Sequence, residues 1–308
     1  MNLLHLKYAI EVAKTSSITK AAENLFMGQP NLSRAIKELE ENLGFAIFSR
    51  TSKGIVPTAQ GEEFLERARE ILSQVDAVER MYMEKKTGQQ NFSVSVPRVS
   101  YISHAFTEFA KSLGSEECSE IYYKETNSMR TINNVVNAEY KLGILRYQTG
   151  YDKNFKSMME EKGLVSELIC EFSPVVTVSA ASRLAELQTI GSAELEDKTE
   201  IVYGDKYVPS ASAAEMKKDS SLFKVKKRIF IFDRESQFEL LAQLPEAFML
   251  GSPIPEDILQ KFGLIQKSCP ENKQRFRDVL IFKKEYRFTP VDNRFIAALT
   301  QSKRLFIK

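Results

Sequence analysis

The sequence predicts an α/β protein that begins with a winged helix-turn-helix, continues through one long linker helix and ends in an α/β region of two subdomains. Three observations support this prediction. Residues 17–43 hold two amphipathic patterns joined by a tight turn, residues 58–86 carry one apolar seam without proline, and from residue 92 strand-like and helix-like segments alternate. A chain of 308 residues, 43% of them hydrophobic, is long enough for two or three compact units.

Residues 17–43 are predicted to form two helices, of which the second has a polar outer surface. Apolar residues recur at helical spacing in both, namely Ile18, Ala21, Ala22 and Leu25, then Leu32, Ala35, Ile36, Leu39 and Leu43. We expect Gly28 to supply the backbone angles of the turn and Pro30 to suit the first helical turn. The side chains left outside are of types that bond base edges and phosphates, so the predicted DNA contacts are Gln29, Pro30, Asn31, Ser33, Arg34 and Lys37. Taken alone, the stretch is equally compatible with an ordinary helical hairpin whose outer face is solvated.

A short two-stranded wing is predicted directly after these helices. Residues 46–50 and 54–57 flank a polar tip at residues 51–53. Arg50 and Lys53 would then lie beside the second helix, close to the phosphate backbone of bound DNA. A wing in this position favours DNA binding over the ordinary hairpin.

The order of residues across this region resembles the N-terminal domain of LysR-type transcriptional regulators. The resemblance lies in the run AAENLFMGQPNLSRAIKELEENLGFAIFSRTSKGIVPTAQGEEFL. One position departs from the family: serine is common before Gln29, and this chain has Gly28, so a side-chain cap and a possible phosphate-contacting hydroxyl are missing. The resemblance implies a transcription regulator whose partners are double-stranded DNA and further copies of itself, as a homodimer or homotetramer, with RNA polymerase as another candidate.

Residues 58–86 are predicted to form a linker helix that makes the dimer. Its apolar seam keeps a 4-3-4-3-4 spacing through Phe64, Ala68, Ile71, Val75, Val78 and Tyr82. At 1.5 Å per residue the helix would span about 40 Å, which is too long for it to bury this seam alone. The same helix of a second copy is the expected partner, and the resemblance implies an antiparallel pair. The alternative is a helix folded back on its own domain.

Alternating strands and helices after a hinge at residues 87–91 predict parallel βαβ units. Their order resembles the effector-binding half of the same family, a pair of α/β subdomains like those of periplasmic binding proteins. The predicted domains are therefore 1–57 for the winged helix-turn-helix, 58–86 for the linker helix and 92–308 for the effector domain. Within the last, subdomain I is expected at about 92–167 and 266–308, and subdomain II at about 168–265.

A small-molecule effector is expected between these subdomains. In open α/β sheets, ligands bind beyond the carboxyl ends of strands, where helix N-termini point outward. The residues predicted at such places are Arg98, Ser100, Asn127 and Ser128 in subdomain I, with Tyr203 and Gly251 facing them from subdomain II. Their alternative role is only to cap helices, and the sequence does not choose a ligand.

Other classes of protein are disfavoured by what the sequence lacks. The first residues show no basic region with a cleavage site, and no apolar run approaches the ~20 residues that cross a bilayer, so we expect a cytoplasmic protein without a membrane partner. Three separated cysteines and two histidines show no spacing typical of a disulfide framework, a zinc site or a catalytic triad. We therefore expect neither an enzyme nor a cofactor. The competing interpretation is a solute-binding or enzymatic α/β protein with a fused helical dimerisation unit.

Overall fold

The computed structural model describes residues 2–51, 54–87, 90–114, 118–205, 207–209 and 223–307. The chain divides into a first compact unit, Met1–Thr87 with Asn137–Glu139, and a second, Gly88–Val136 with Tyr140–Lys308. The predicted α/β class is confirmed, because helices with a two-stranded wing form the first unit and two mixed sheets with helices form the second. No helix in the described ranges is both long and apolar enough to span a bilayer. Part of the predicted hinge, residues 88–89, lies outside these ranges.

The first unit is a helical domain with a wing. Asn2 and Ser17 cap its first two helices by accepting hydrogen bonds from backbone N–H groups of the first turn. Its core is formed by apolar faces of three helices and by Ile47 and Leu65. The two strands of the wing pair antiparallel. The elements are α1 (Leu3–Thr15), α2 (Ile18–Asn24), α3 (Gln29–Leu43), β1 (Phe48–Thr51), β2 (Gly54–Pro57) and α4 (Ala59–Thr87).

The turn between α2 and α3 differs from the prediction made for Gly28. Gly28 has φ −69°, a value that any residue adopts, and it precedes α3 without a side-chain cap. The left-handed residue of the turn is Phe26, with φ 52°. The N–H of Met27 donates to the carbonyl of Ala22 (3.0 Å) and that of Phe26 to the carbonyl of Glu23 (3.1 Å), which are the two bonds of a Schellman motif. Helix α2 is thus terminated through Phe26, and Gly28 serves only as the residue before α3.

The first half of α4 packs on its own unit, which corrects the predicted dimer seam. Ala68 and Leu72 are buried with Leu6 of α1, and Phe64 is partly buried against the same cluster. Because Ala68 is only 1% exposed in a single chain, it has no surface left for a second copy. The expectation for Ala68 was wrong, and the alternative of a helix folded back on its own domain applies to this part of α4.

The described residues in the rest of the predicted seam are less buried than Ala68. Ile71 is 38% exposed and Val75 is partly exposed. The side chains of Val78 and Tyr82 lie outside the described residues. Of the described seam residues, Ile71 is therefore the exposed one in a single chain.

The first sheet of the second unit has the strand order β4-β3-β5-β12-β6 among the described residues. Strand β3 pairs parallel with β4 and β5, whereas β12 pairs antiparallel with β5 and β6. A large aromatic core including Phe92, Phe109 and Phe295 lies against it. The elements are β3 (Gln90–Val96), α5 (Ser100–Ser112), β4 (Cys118–Glu125), α6 (Ser128–Val136), β5 (Leu142–Gln148), α7 (Asp152–Glu161), β6 (Leu164–Phe172), β12 (Phe276–Lys283) and α10 (Pro290–Phe306).

The second sheet has the order β11-β7-β10-β8-β9 within the described part of the chain. Strand β8 pairs parallel with β10 and β9, and β7 pairs antiparallel with β10 and β11. Both sheets are therefore mixed, and the predicted parallel units account for only part of each. The elements are β7 (Val175–Ser179), β8 (Thr199–Tyr203), β9 (Lys227–Ile231), α8 (Glu235–Gln243), β10 (Ala247–Gly251), α9 (Glu256–Phe262) and β11 (Leu264–Lys267).

The chain passes between the two sheets a few residues later than the sequence indicated. Strand β6 pairs with β12 along its length up to Phe172, so the predicted limit at 167/168 falls inside a strand of the first sheet. Strand β11 belongs to the second sheet, so the limit at 265/266 also falls inside a strand. The first passage coincides with Pro174, which cannot donate a ladder hydrogen bond.

Candidate functional site

The outer face of α3 carries the predicted DNA contacts. Gln29, Pro30, Asn31, Arg34 and Lys37 are exposed and Ser33 is half-buried, while Leu32, Ile36 and Leu39 are buried on the opposite face. Lys37 lies 3.6 Å from Glu41 in an exposed pair near the C-terminal half of the helix. The first turn of α3 is therefore the part whose polar side chains are presented without acidic neighbours on the same helix.

The wing is held against the segment that joins α1 and α2. The N–H of Ile55 donates to the carbonyl of Ser16 at 3.0 Å. Gly54 makes this approach possible, because its φ is +115° and an added Cβ would lie 2.8 Å from the same carbonyl oxygen. Gln29 shares a concave surface with residues 15–20 and 54–55. The side chain of Arg50, and Lys53 altogether, lie outside the described residues.

A cavity of about 260 Å³ lies between the two sheets of the second unit. All six residues predicted from the sequence line it, namely Arg98, Ser100, Asn127, Ser128, Tyr203 and Gly251. The N-termini of α5 and α6 both open toward this cavity, because Ser100 and Ser128 are their first residues.

Some of these cavity-lining residues also cap a helix, and others do not. The Oδ1 atom of Asn127 accepts from the N–H of Arg130 at 2.9 Å, which caps α6. The hydroxyl of Ser128 donates to the carbonyl of Arg146 at 3.1 Å. Ser100 is 5% exposed, and no described residue hydrogen-bonds its hydroxyl. The helix-cap alternative thus applies to Asn127 and not to Ser100.

Polar bonds cross the cavity between the two sheets. The guanidinium of Arg98 holds Asp205 through two bonds of 3.0 Å, and it lies 5.0 Å from the ring centre of Tyr203. The Nδ2 atom of Asn127 donates to the same Asp205 at 3.4 Å. Nη1 of Arg146 donates to the hydroxyl of Ser252 at 3.0 Å. On the side of the first sheet, Arg98 and Asn127 follow strands and Arg146 lies within β5. On the side of the second sheet, Asp205 and Ser252 both follow strands.

A second ion pair joins the sheets away from the cavity. Arg234, at the start of α8, pairs with Glu125 at the end of β4. It also donates to the hydroxyl of Ser103 at 2.8 Å. Neither Arg234 nor Glu125 lines the cavity.

A buried charge pair supports the cavity from the first sheet. Asp278 is fully buried and accepts from Nε and Nη2 of Arg146 at 2.8 and 2.7 Å, and from the hydroxyl of Tyr101 at 2.7 Å. Burial and then the charge of Asp278 raise the pKa of Tyr101 well above its ordinary value, so Tyr101 stays a donor. The guanidinium of Arg146 also lies 4.4 Å from the ring centre of Phe172. Arg146 is therefore fixed on three sides within the cavity wall.

Arg146, Asp278, Asp205 and Ser252 were not among the residues predicted from the sequence. A signal for the first two was available, since Arg146 is the one charge in the strand LGILRYQ and Asp278 directly precedes the apolar run VLIF in FRDVLIFK. Asp205 and Ser252 gave no comparable signal, because each lies in a polar turn that sequence pattern does not place in space.

None of the described cysteine and histidine side chains lines the cavity. Burial, followed by the charge of Asp278, raises the pKa of the Cys170 thiol to about 11, and burial also raises that of Cys269, so neither is a ready thiolate. Nδ1 of His104 lies 3.2 Å from the hydroxyl of Ser302. Among the described residues, no group of three or more His, Cys, Asp or Glu side chains is arranged to hold a metal ion.

Comparisons with known proteins agree on the N-terminal segment. The family model described as "Bacterial regulatory helix-turn-helix protein, lysR family" matches residues 3–62. The HTH-type transcriptional regulator AlsR of Bacillus subtilis (strain 168) is 32% identical over 150 residues, which are 47% of this chain and 48% of that protein. The uncharacterized HTH-type transcriptional regulator YcgK of the same strain is 37% identical over 101 residues, 32% of this chain and 31% of that protein. The matched stretches thus span half or less of these relatives.

Solved structures extend the likeness of fold along the whole chain. CbnR, a LysR family transcriptional regulator, has a TM-score of 0.64 and 17% identity, covering 98% of this chain and 99% of its own. Full-length CbnR in complex with its target DNA matches with the same TM-score and identity, covering 98% and 100% of the two chains. A full-length OxyR variant from Pseudomonas aeruginosa has a TM-score of 0.55 and 18% identity over 99% and 98% of the two chains.

Proposed function

We propose that this chain, which belongs to the LysR family of bacterial helix-turn-helix regulators, is a cytoplasmic, sequence-specific DNA-binding regulator of transcription. The observation that carries the proposal is the exposed polar face of α3, which lies inside the segment that matches the family. The likeness of fold to CbnR, which has been solved with its target DNA, supports the same assignment.

The residues of α3 read sequence, and those of the wing position the protein. Arg34 suits a guanine edge, and Gln29 and Asn31 suit adenine. Ser33 and Lys37 lie near enough to this face to reach bases or phosphates, with Pro30 shaping the first turn. Arg50 and Lys53 of the wing neutralise phosphates without regard to sequence.

The protein acts as a homodimer or homotetramer, with double-stranded DNA and RNA polymerase as macromolecular partners. Two copies are joined through the part of α4 that starts at Ile71 and continues through Val75, Val78 and Tyr82. Dimers suit DNA sites built of two half-sites about one helical turn apart.

A small molecule bound in the cavity of the second unit regulates this activity. The cavity lies at the carboxyl ends of parallel strands and at two helix N-termini, the usual place for a ligand in such sheets. Its lining combines polar groups of both subdomains, so a ligand there changes the equilibrium between their arrangements.

Two experiments test the DNA-binding proposal. Bound duplexes are first selected from a random DNA pool, and their affinity is then measured by gel mobility shift against random competitor DNA. Arg34→Ala should weaken specific binding by ~1–3 kcal/mol and relax discrimination at one base pair per half-site. Lys53→Ala is the charge-matched control, because it should weaken binding to selected and random DNA alike and flatten the salt dependence. If no sequence is enriched, or if Arg34→Ala lowers affinity equally for both kinds of DNA, sequence reading by α3 is wrong.

A further inference from the structure

The cavity contains one ion pair whose two members come from opposite subdomains. Arg98 follows β3 and Asp205 follows β8, and their fork-to-fork contact has two bonds of 3.0 Å. Both side chains line the cavity and are largely buried, at 10% and 17% exposure. Such a planar, bidentate arrangement is the one in which a guanidinium best recognises a carboxylate.

The other charges in the cavity wall are committed elsewhere. Arg146 is held by the fully buried Asp278. Glu200 accepts from Nε of Arg228 at 2.8 Å. Within the described part of the chain, Asp205 is the carboxylate that pairs with Arg98. Its side chain is 17% exposed, against 0% for Asp278 and 8% for Glu200, so among these ion pairs its own is the one that a ligand exchanges at the lowest cost.

The surroundings of Asp205 already form a site for a carboxylate. Asn127 donates to its Oδ2 at 3.4 Å, alongside Arg98. Ser100, which lines the cavity and is 5% exposed as a residue, adds a hydroxyl that is hydrogen-bonded by none of the described residues. Ser100 also opens α5, a helix of 13 residues whose preceding residue Val99 gives no side-chain cap, so N–H groups of the first turn favour negative charge.

The remainder of the cavity is mainly apolar. Side chains of both subdomains contribute, including Phe172, Ile201, Met249, Ile254 and Phe276. An anion with no apolar part would leave this surface in contact with water, whereas an organic acid with an apolar body would cover it.

We propose that Asp205 is an internal competitor that occupies the place of the ligand on Arg98, and that the ligand is a small organic monocarboxylate with an apolar body. This inference rests on the proposed role of the cavity as an effector site. When the carboxylate of the ligand takes Nη1 and Nη2 of Arg98, the two donors that hold Asp205, it displaces Asp205 from them. Binding therefore breaks the Arg98–Asp205 ion pair between the subdomains while the bonds from Arg234 and Arg146 stay.

The test compares full-length wild type with Asp205→Asn, Arg98→Gln and Glu125→Gln by calorimetric titration. The probes are butyrate, hexanoate, benzoate and phenylacetate, each paired with its neutral amide, and inorganic sulfate. Asp205→Asn should bind at least one of the four carboxylates ~10-fold or more tighter than wild type, because the competing charge is gone. Arg98→Gln should lose the preference for that acid over its amide. Glu125→Gln is the matched control, since it breaks a bond between the subdomains outside the cavity.

Each contrary result has a distinct meaning. If Asp205→Asn and Glu125→Gln gained the same affinity for the carboxylates, Asp205 would act only by holding the cleft closed. That result would overturn its role as a competitor of the ligand. Sulfate binding as tightly as the best carboxylate, or no binding of any carboxylate to wild type and Asp205→Asn, would overturn the ligand class. Thermal melting of each variant excludes misfolding. Selected-DNA binding by the same wild-type sample reports the proposed function separately, so this inference can fail while DNA recognition stands.

Discussion

Phe26 has an unfavourable backbone conformation that the hydrophobic pattern of the sequence does not reveal. It occupies the left-handed position of the Schellman turn after α2, with φ 52°, and its side chain is 98% exposed. A residue with a Cβ loses roughly 1–2 kcal/mol there, and glycine is the usual occupant. We expect Phe26→Gly to raise the free energy of unfolding of the first unit by about 1 kcal/mol, as measured by the thermal midpoint.

Glu23→Gly provides the matched control for that change. Glu23 is exposed in α2, three residues earlier, and has helical geometry. The same glycine should therefore lower stability there by roughly 0.5–1 kcal/mol. Two changes of equal sign would show that the left-handed angle of Phe26 carries no strain.

This turn also marks a limit of reading residues from the sequence. A glycine two residues before a proline suggested that Gly28 supplies the unusual angle, yet Phe26 adopts it. The angle is set by how α2 must end for α3 to cross the core, and that is a tertiary requirement. By contrast, Ser100 and Asn127 were found from the sequence because strand ends followed by helix starts are local patterns.

At the scale of elements, helical periodicity located α4 but not the partner of each of its faces. The predicted seam contains Ala68, which is buried against Leu6 of α1, and Ile71, which is exposed. Spacing alone cannot separate these two, because a helix buries a stripe against whichever neighbour the fold provides. Likewise the end of β6 was missed, since a half-exposed strand carries polar residues at positions where a turn would also have them.

The exposed part of α4 gives a clean test of dimerisation. Ile71→Asp combined with Val75→Asp should give monomers in analytical ultracentrifugation and a large loss of affinity for selected DNA. Each charge would enter an apolar interface, where an unpaired carboxylate costs several kcal/mol. Because Ile71 is 38% exposed within one chain, Asp at that position should leave the monomer folded.

Arg69→Asp is the control for the double variant. Arg69 is exposed on the same helix, on a different face from Ile71, so the same side chain is introduced away from the proposed interface. It should remain an oligomer. If the double variant stayed oligomeric, the interface between copies would lie on another element.

At the scale of the molecule, the proposed regulation depends on two subdomains that the chain joins twice. The passages lie at 173–174 and at 268–275, between β6 and β7 and between β11 and β12. Short paired connections of this kind permit hinge motion about a ligand. The bonds from Arg98, Arg146 and Arg234 across the subdomains are the contacts that such motion makes or breaks.

Ser100→Ala tests whether the cavity controls DNA binding. The hydroxyl of Ser100 has no hydrogen-bond partner among the described residues, so its removal costs no native bond and the protein should fold normally. Once an effector has been identified by thermal-shift screening, the variant should lose the effector-dependent change in its footprint and keep the effector-free footprint.

Asn127→Ala should behave similarly but with lower stability, because it also removes the cap of α6. Ser112→Ala, at the other end of α5, is the control and should respond like wild type, since its hydroxyl bonds only the carbonyl of Phe109 at 2.7 Å. If Ser100→Ala responded to the effector like wild type, Ser100 would not belong to the effector site. Binding would then depend on the apolar wall and Arg98.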